Sequence, residues 1–231
     1  MKLVGFKTNH KMSKKRRNDM KKIILIITTI ITGIALFGCG ATAKEIRAKS
    51  LSERSDVFHE VEEGTAPKGF VDVVIKASIK THLEGYYSLE SKESIHGKPG
   101  YPFVLNIDGQ SATWKVNGQK DSQPKYDEKG KTIADPEAGE GMNYILERKI
   151  RLAAGPHRIF LGLPEDDYAL EANLIFKEGG PYVLEFKPVY KSARKNYSIR
   201  KSERMKRNET FLKGINKYDI FLNGNPIQAI S

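Results

Sequence analysis

The chain predicts an all-β fold, an antiparallel β-sandwich behind an N-terminal export segment. Three observations point there. Apolar and polar residues alternate in several stretches between Phe70 and Leu222, turn-forming residues separate those stretches, and no run of helical period is long enough to cover a parallel sheet. Composition agrees: 231 residues, 39% apolar and 29% charged, suit one large or two small domains and exclude collagen, a coiled coil, a multi-span membrane protein and a largely disordered chain. The net charge of +11 is unevenly placed, because residues 1–38 carry nine Lys/Arg against one Asp and leave only +3 on the remaining 193 residues. That distribution argues against a protein that coats nucleic acid.

The N-terminal element comes first. Ile23 to Phe37 is an apolar run of fifteen residues behind Lys21 and Lys22. At about 1.5 Å per residue it spans roughly 22 Å, short of the ~30 Å hydrocarbon core, so it reads as the apolar region of a secretory signal. Leu36-Phe37-Gly38-Cys39 follows at once and resembles the lipobox of bacterial lipoproteins, with Phe37 in place of the usual small residue. The resemblance implies peptidase recognition through Leu36, Phe37 and Gly38, cleavage before Cys39, a diacylglycerol thioether on that thiol, and residues 1–38 as signal peptide. Two acyl chains suffice for stable anchoring. Cys39 is the one cysteine of the chain, which excludes an internal disulfide and a multi-cysteine zinc site. Met20-Lys21-Lys22 has the form of an ordinary precursor start, so residues 1–19 read as an extended n-region or an over-long gene start. Arg16-Arg17 is a poor twin-arginine signal, since Asp19 stands where that motif takes an apolar residue. Gly40, rather than Asp, after the cysteine favours the periplasmic face of the outer membrane in a Gram-negative cell.

Residues 39–69 are expected to be the lipidated cysteine and a tether, with a short helix somewhere in Ala43 to Val61. The turn-rich Gly64-Thr65-Ala66-Pro67-Lys68-Gly69 closes it. The sandwich is expected over 70–231. Val71, Val73, Ile75, Ala77 and Ile79 alternate with Asp72, Lys76, Ser78 and Lys80, as in a strand buried on one face. Phe103, Leu105 and Ile107 form a second face, and Asp108-Gly109 turns the chain into Ala112, Trp114 and Val116. Tyr144, Leu146, Ile150 and Leu152 precede Gly155-Pro156, after which Ile159, Leu161 and Leu163 resume. Tyr168 to Phe176 alternates for nearly ten residues, Glu178-Gly179-Gly180-Pro181 makes a turn, and Tyr182, Leu184 and Phe186 are expected to return as its hairpin partner. A last strand falls near Tyr218–Leu222, closed by Asn223-Gly224. Seven to nine short strands result.

Two motifs carry a second resemblance. Leu105-Asn106-Ile107-Asp108-Gly109, and Leu152 to Ile159 with its Gly155-Pro156-His157, are similar to the hairpin and strand-opening motifs of PEGA-type, transthyretin-like surface domains of bacterial envelope proteins. The resemblance covers Phe103–Tyr190, interrupted by an insertion from Asn117 to Asn143, and Asp167 replaces a glycine common before Tyr168. It implies an Ig-like or transthyretin-like sandwich with a binding or scaffolding role at the envelope.

Chemistry is harder to find. The histidines His59, His82, His96 and His157 share no spacing that puts two on one helical or strand face, so packing is expected and no metal site or cofactor is assigned. His157 is expected to bond the backbone of its turn. The acidic groups of Asp135 to Gly141 and of Glu165-Asp166-Asp167 fit no calcium-loop pattern and read as solvated loops. Gly85-Tyr86-Tyr87 and Pro99-Gly100-Tyr101-Pro102 put aromatics in loops, where turn packing is expected before a sugar-stacking platform. Trp114 is expected in the core. No nucleophile elbow, phosphate loop or dinucleotide fingerprint is present, so no catalytic residue is assigned. A basic run holds Lys191, Arg194, Lys195, Arg200, Lys201, Arg204, Lys206 and Arg207 against Glu203 alone. It reads as a solubilising edge or as contact with an anionic lipid or glycan surface. The resulting expectation is a lipid-anchored envelope protein with a non-enzymatic binding or scaffolding role, whose partners are membrane lipid through Cys39 and another envelope protein or anionic glycan, not nucleic acid. The alternatives are a periplasmic cell-wall glycan or ester hydrolase and a carrier of a small or lipidic ligand.

Overall fold

The computed structural model describes residues 38–122, 127–130, 135–193 and 208–230. The leader residues Leu36 and Phe37 therefore lie outside the described residues, as do Arg194, Lys195, Arg200, Lys201, Arg204, Lys206 and Arg207 of the basic run. The chain divides into two compact units, Met1–Thr42 and Ala43–Ser231, and the second holds the strands. A helix, α1 (Gly38–Lys49), is followed by thirteen strands among the described residues. No helix among them is long and apolar enough to cross a membrane.

Most of the fold is β, in two main sheets. The larger runs in the order β1 (Phe58–Glu60), β6 (Gly141–Ala153), β2 (Phe70–Thr81), β9 (Tyr182–Tyr190), β12 (Ile215–Leu222), β13 (Asn225–Ile227), and β5 (Gln119–Asp121) also pairs with β6. The smaller runs β4 (Gln110–Val116), β3 (Tyr101–Ile107), β7 (Gly155–Leu163), β8 (Tyr168–Phe176). A two-stranded pair, β10 (Ser192–Ala193) with β11 (Asn208–Glu209), brackets the basic run and leaves Lys191, which is exposed, just before it.

The period-2 faces are buried as their alternation predicts. Val71, Val73, Ile75, Ala77 and Ile79 of β2 share one core with Phe103, Leu105 and Ile107 of β3, Tyr144, Leu146, Ile150 and Leu152 of β6, and Ile159, Leu161 and Leu163 of β7. Leu170, Leu174, Leu184 and Phe186 join it, so the faces of β8 and β9 are correctly read. Trp114 lies in the same core, and its indole N–H donates to Glu60 Oε1 at 2.7 Å. Both Asx-Gly hairpins form: Asp108 and Gly109 take φ of 49° and 93° between β3 and β4, and Asn223 and Gly224 do likewise between β12 and β13. The two motifs of the envelope resemblance touch. His157 Nδ1 lies 2.7 Å from Asp108 Oδ2, and its Nε2 bonds the carbonyl of Ala153 at 2.9 Å, a bond to the turn backbone.

Three readings are corrected. Strands β8 and β9 are not hairpin partners: β8 pairs with β7, while β9 pairs with β2 and β12. The chain crosses between sheets at this turn, where the Tyr182 hydroxyl bonds the backbone N–H and C=O of Lys177, both at 2.9 Å, and the Phe176 and Tyr182 rings meet at 5.1 Å. Alternation reports which side of a strand loses water. Two strands facing each other across a core carry the same pattern as two that share a ladder. Nor is the fold wholly antiparallel, because β2 and β9 run parallel from Val73↔Tyr182 to Ala77↔Phe186. The connection from β2 to β9 passes through the smaller sheet, which gives it the length a parallel pair requires. Finally, Asp72 and Lys80, on the polar side of β2, are buried at 7% and 1% exposure. Arg151 and Lys149 cover Asp72, while the loop around Glu137 and the ring of Phe211 cover Lys80.

Between Cys39 and Gly69, helix α1 packs its Ile46 against Val104 and Phe160 on the outer side of the smaller sheet. Asn106 Nδ2 donates to the carbonyl of Lys49 at 2.8 Å and so caps the helix C-terminus. Strand β1 pairs with β6 through Phe58↔Leu152.

Candidate functional site

At the C-terminal end of β2, chemistry-bearing side chains gather from several segments. Lys80, Thr81 and His82 leave the strand, and the loop from Leu83 to Gly100 then folds back on them. Its turn at Gly97 (φ 75°) sits against backbone: a Cβ there would meet Glu84 N at 2.1 Å and Leu83 C at 2.5 Å. The Gly97 N–H donates to Thr81 Oγ1 at 3.2 Å, and the Tyr144 hydroxyl donates to the Lys98 carbonyl at 2.7 Å. Only glycine permits that approach at that φ. The approach sets His96 beside His82, ring centroids 5.1 Å apart and nearly perpendicular.

Glu90 lies between the two imidazoles. Its Oε1 is 3.4 Å from His82 Nε2 and 3.5 Å from His96 Nδ1, and the Ser94 hydroxyl donates to the same oxygen at 2.6 Å. The outer ring nitrogens are also engaged. His82 Nδ1 is 2.9 Å from the Leu83 carbonyl, and His96 Nε2 is 3.4 Å from Asp166 Oδ2. A carbonyl and an ionised carboxylate only accept, so these nitrogens carry the protons. His82 Nε2 and His96 Nδ1 are the inward nitrogens that face Glu90, and in the neutral imidazole they are the ones that carry the lone pair. Asp166, in the short 3-10 turn Pro164–Asp166 after β7, also accepts the hydroxyl of the fully buried Tyr101.

Electrostatics follow burial and this carboxylate. Burial opposes charge on His96, but the Asp166 hydrogen bond and charge, with that of Glu90, outweigh it and raise its pKa above the ordinary value. Burial, then the charge of Asp166, pushes the Tyr101 hydroxyl well up and keeps it a donor. Burial, then Glu137, does the same to Tyr190, whose hydroxyl donates to Glu137 Oε1 at 3.0 Å and accepts the Lys80 backbone N–H at 2.8 Å.

Lys80 is the structural neighbour of this cluster. Its ammonium donates to Asp121 Oδ2 at 3.1 Å and to the carbonyls of Glu137 and Gly139 at 2.7 and 2.8 Å, which occupies all three protons. A lysine so held ties the segment between β4 and β6 to β2. A cavity of ≈ 160 Å³ opens beside it, bordered by Lys80, His82, Tyr87, His96, Asp166 and Phe211 among others. That volume is below the ~300 Å³ of ordinary small-molecule pockets and suits an ion or a ligand of a few atoms. Tyr86 stacks on the His82 ring at 5.7 Å and Tyr87 meets its edge at 4.8 Å, while both keep an exposed side.

The reading of isolated histidines is revised here: His82, Glu90 and His96 come together through a loop, Leu83 to Gly100, that holds no strand or helix whose period could have related them. Asp166 and Glu137, read as parts of solvated loops, accept hydrogen bonds from buried tyrosines. The one local signal was Gly97 next to His96, which marks a turn but not its destination. His59 is exposed on β1 and His157 belongs to the turn described above, both away from the cluster. No known protein family, curated protein or solved structure matches the chain.

Proposed function

We propose that the chain is an exported, lipid-anchored envelope protein whose strand domain, a sandwich of transthyretin-like or Ig-like plan, serves as a non-enzymatic binding or scaffolding module. The observation that carries this reading is the single cysteine directly after Leu36-Phe37-Gly38, behind an apolar run too short to span a bilayer. In a Gram-negative cell the module sits on the periplasmic face of the outer membrane, held by membrane lipid through Cys39. Its partner is another envelope protein or an anionic glycan met by the basic run from Lys191 to Arg207. The carrier alternative needs an apolar cavity between the sheets, whereas Tyr101, Phe103, Tyr144, Phe176 and Phe186 pack that space with fully buried rings. Metabolic labelling with a fatty acid tests the anchor. Label is expected on the parent chain and absent from Cys39→Ser; equal label on both overturns the reading.

A further inference from the structure

We propose that His82 Nε2, Glu90 Oε1 and His96 Nδ1 form a three-ligand site for a divalent transition cation of the zinc class, with a fourth position for water or a small anion in the adjoining cavity. The inference stands apart from the lipid anchor and concerns the folded unit alone.

Spacing between the donors is the first argument. A tetrahedral ion with bonds of about 2.0–2.1 Å sets neighbouring donor atoms about 3.3–3.4 Å apart. The two ligand-to-ligand distances through Glu90 are 3.4 and 3.5 Å, and all three donors lie within 4.8 Å of one another. Modest movement of one ring closes the triangle around an ion.

The outer contacts give a second argument. Histidines that ligate metals direct their other ring N–H to a carboxylate or a backbone carbonyl, which fixes the tautomer and raises ligand basicity. Both arrangements occur here: His82 Nδ1 with the Leu83 carbonyl, and His96 Nε2 with Asp166. Tyr101 in turn orients Asp166, and Ser94 orients Glu90. Thus each histidine is held from behind through its outer nitrogen, while the Ser94 hydroxyl donates to Glu90 Oε1 itself, an oxygen with a second lone pair for a cation.

Donor chemistry selects the cation. Two imidazoles and one carboxylate suit zinc, cobalt, nickel or copper, whereas calcium and magnesium require a shell of oxygens. The three-ligand set resembles catalytic rather than closed structural zinc sites in leaving one position open, and the ≈ 160 Å³ cavity bordered by both imidazoles supplies room there. The burial of His82 and the partial burial of Glu90 and His96 limit competition from bulk water.

The test is a Co²⁺ titration of the full chain, purified in detergent without a histidine tag and carrying Cys39→Ser so that no thiolate contributes. Expected is saturable visible absorption of tetrahedral intensity at one Co²⁺ per chain, displaced by Zn²⁺. His82→Gln and His96→Gln should each weaken binding by at least about 100-fold, and Asp166→Asn by about 10–100-fold as an outer-contact change. His59→Gln should leave the titration unchanged. Circular dichroism checks that the variants fold, and the parent titration decides the matter without them. Lack of saturable absorption in the parent overturns the proposal, as does a folded His82→Gln or His96→Gln chain that titrates like the parent.

Discussion

Replacing Gly97 by alanine should open the loop that carries His96, and a matched glycine isolates the cause. Gly97 and Gly85 have nearly the same backbone, φ 75° and 76°, but a Cβ on Gly85 meets nothing within 4 Å, whereas one on Gly97 meets the backbone of Leu83 and Glu84. An L-residue in the left-handed region costs about 1–2 kcal/mol at either position. At Gly97 the 2.1 Å approach to Glu84 N cannot be relieved by turning a side chain, so the loop must part. Parting sacrifices the Gly97 N–H to Thr81 Oγ1 bond and the Tyr144 to Lys98 carbonyl bond. At about 0.5–1.5 kcal/mol each, those bonds add about 1–3 kcal/mol, for a total near 2–5 kcal/mol. Urea unfolding followed by the fluorescence of Trp114, the chain's one tryptophan, measures both variants. Losses equal to within about 0.5 kcal/mol would refute the backbone-contact argument, since strain of φ alone is common to the two.

Two further outcomes follow from buried polar groups. Lys80→Met keeps the apolar stem but takes the donor from the carbonyls of Glu137 and Gly139; two orphaned acceptors at about 1–3 kcal/mol each predict a loss of about 2–6 kcal/mol in the same unfolding assay, and a loss below about 1 kcal/mol would show that the ammonium is dispensable. Asp72 takes a bidentate hydrogen bond from Arg151 at 2.6 and 3.0 Å, with Lys149 also near; the Arg151 bond, working against burial, holds its pKa below the ordinary carboxylate value. That depressed pKa gives a stabilisation fully present above the ordinary value and lost as pH falls through the folded one. Asp72→Asn should therefore flatten the acid limb of stability below about pH 5 and leave its slope between neutral pH and that point unchanged, read from urea midpoints, and an unchanged acid limb would contradict the assignment.

Much of the fold was legible because its signals are local. A strand with one side turned from water needs an apolar residue at every second position, and β2, β3, β6, β8 and β9 all carry that pattern. An Asx-Gly pair adopts positive φ with little strain, so the turns at Asp108-Gly109 and Asn223-Gly224 could be placed from two residues each. Helix α1 was legible only as a short helix in the right region, since one buried residue, Ile46, anchors it.

The candidate site was not legible on the same terms. His82 and His96 sit on one loop, but their meeting depends on Gly97 reaching the backbone of Leu83; Asp166 arrives from a turn seventy residues beyond His96. Likewise Lys80 occupies an outward position on β2 and is buried by a segment more than fifty residues away. The order of residues thus settled which side of each strand faces the core and where several turns fall, because both depend on neighbours two to four positions apart. Which strands share a ladder, the parallel direction of β9 against β2, and the convergence of two imidazoles on one carboxylate were settled by packing. A backbone hydrogen bond is the same to any neighbour, and a side chain's surroundings are made of residues its own segment does not contain.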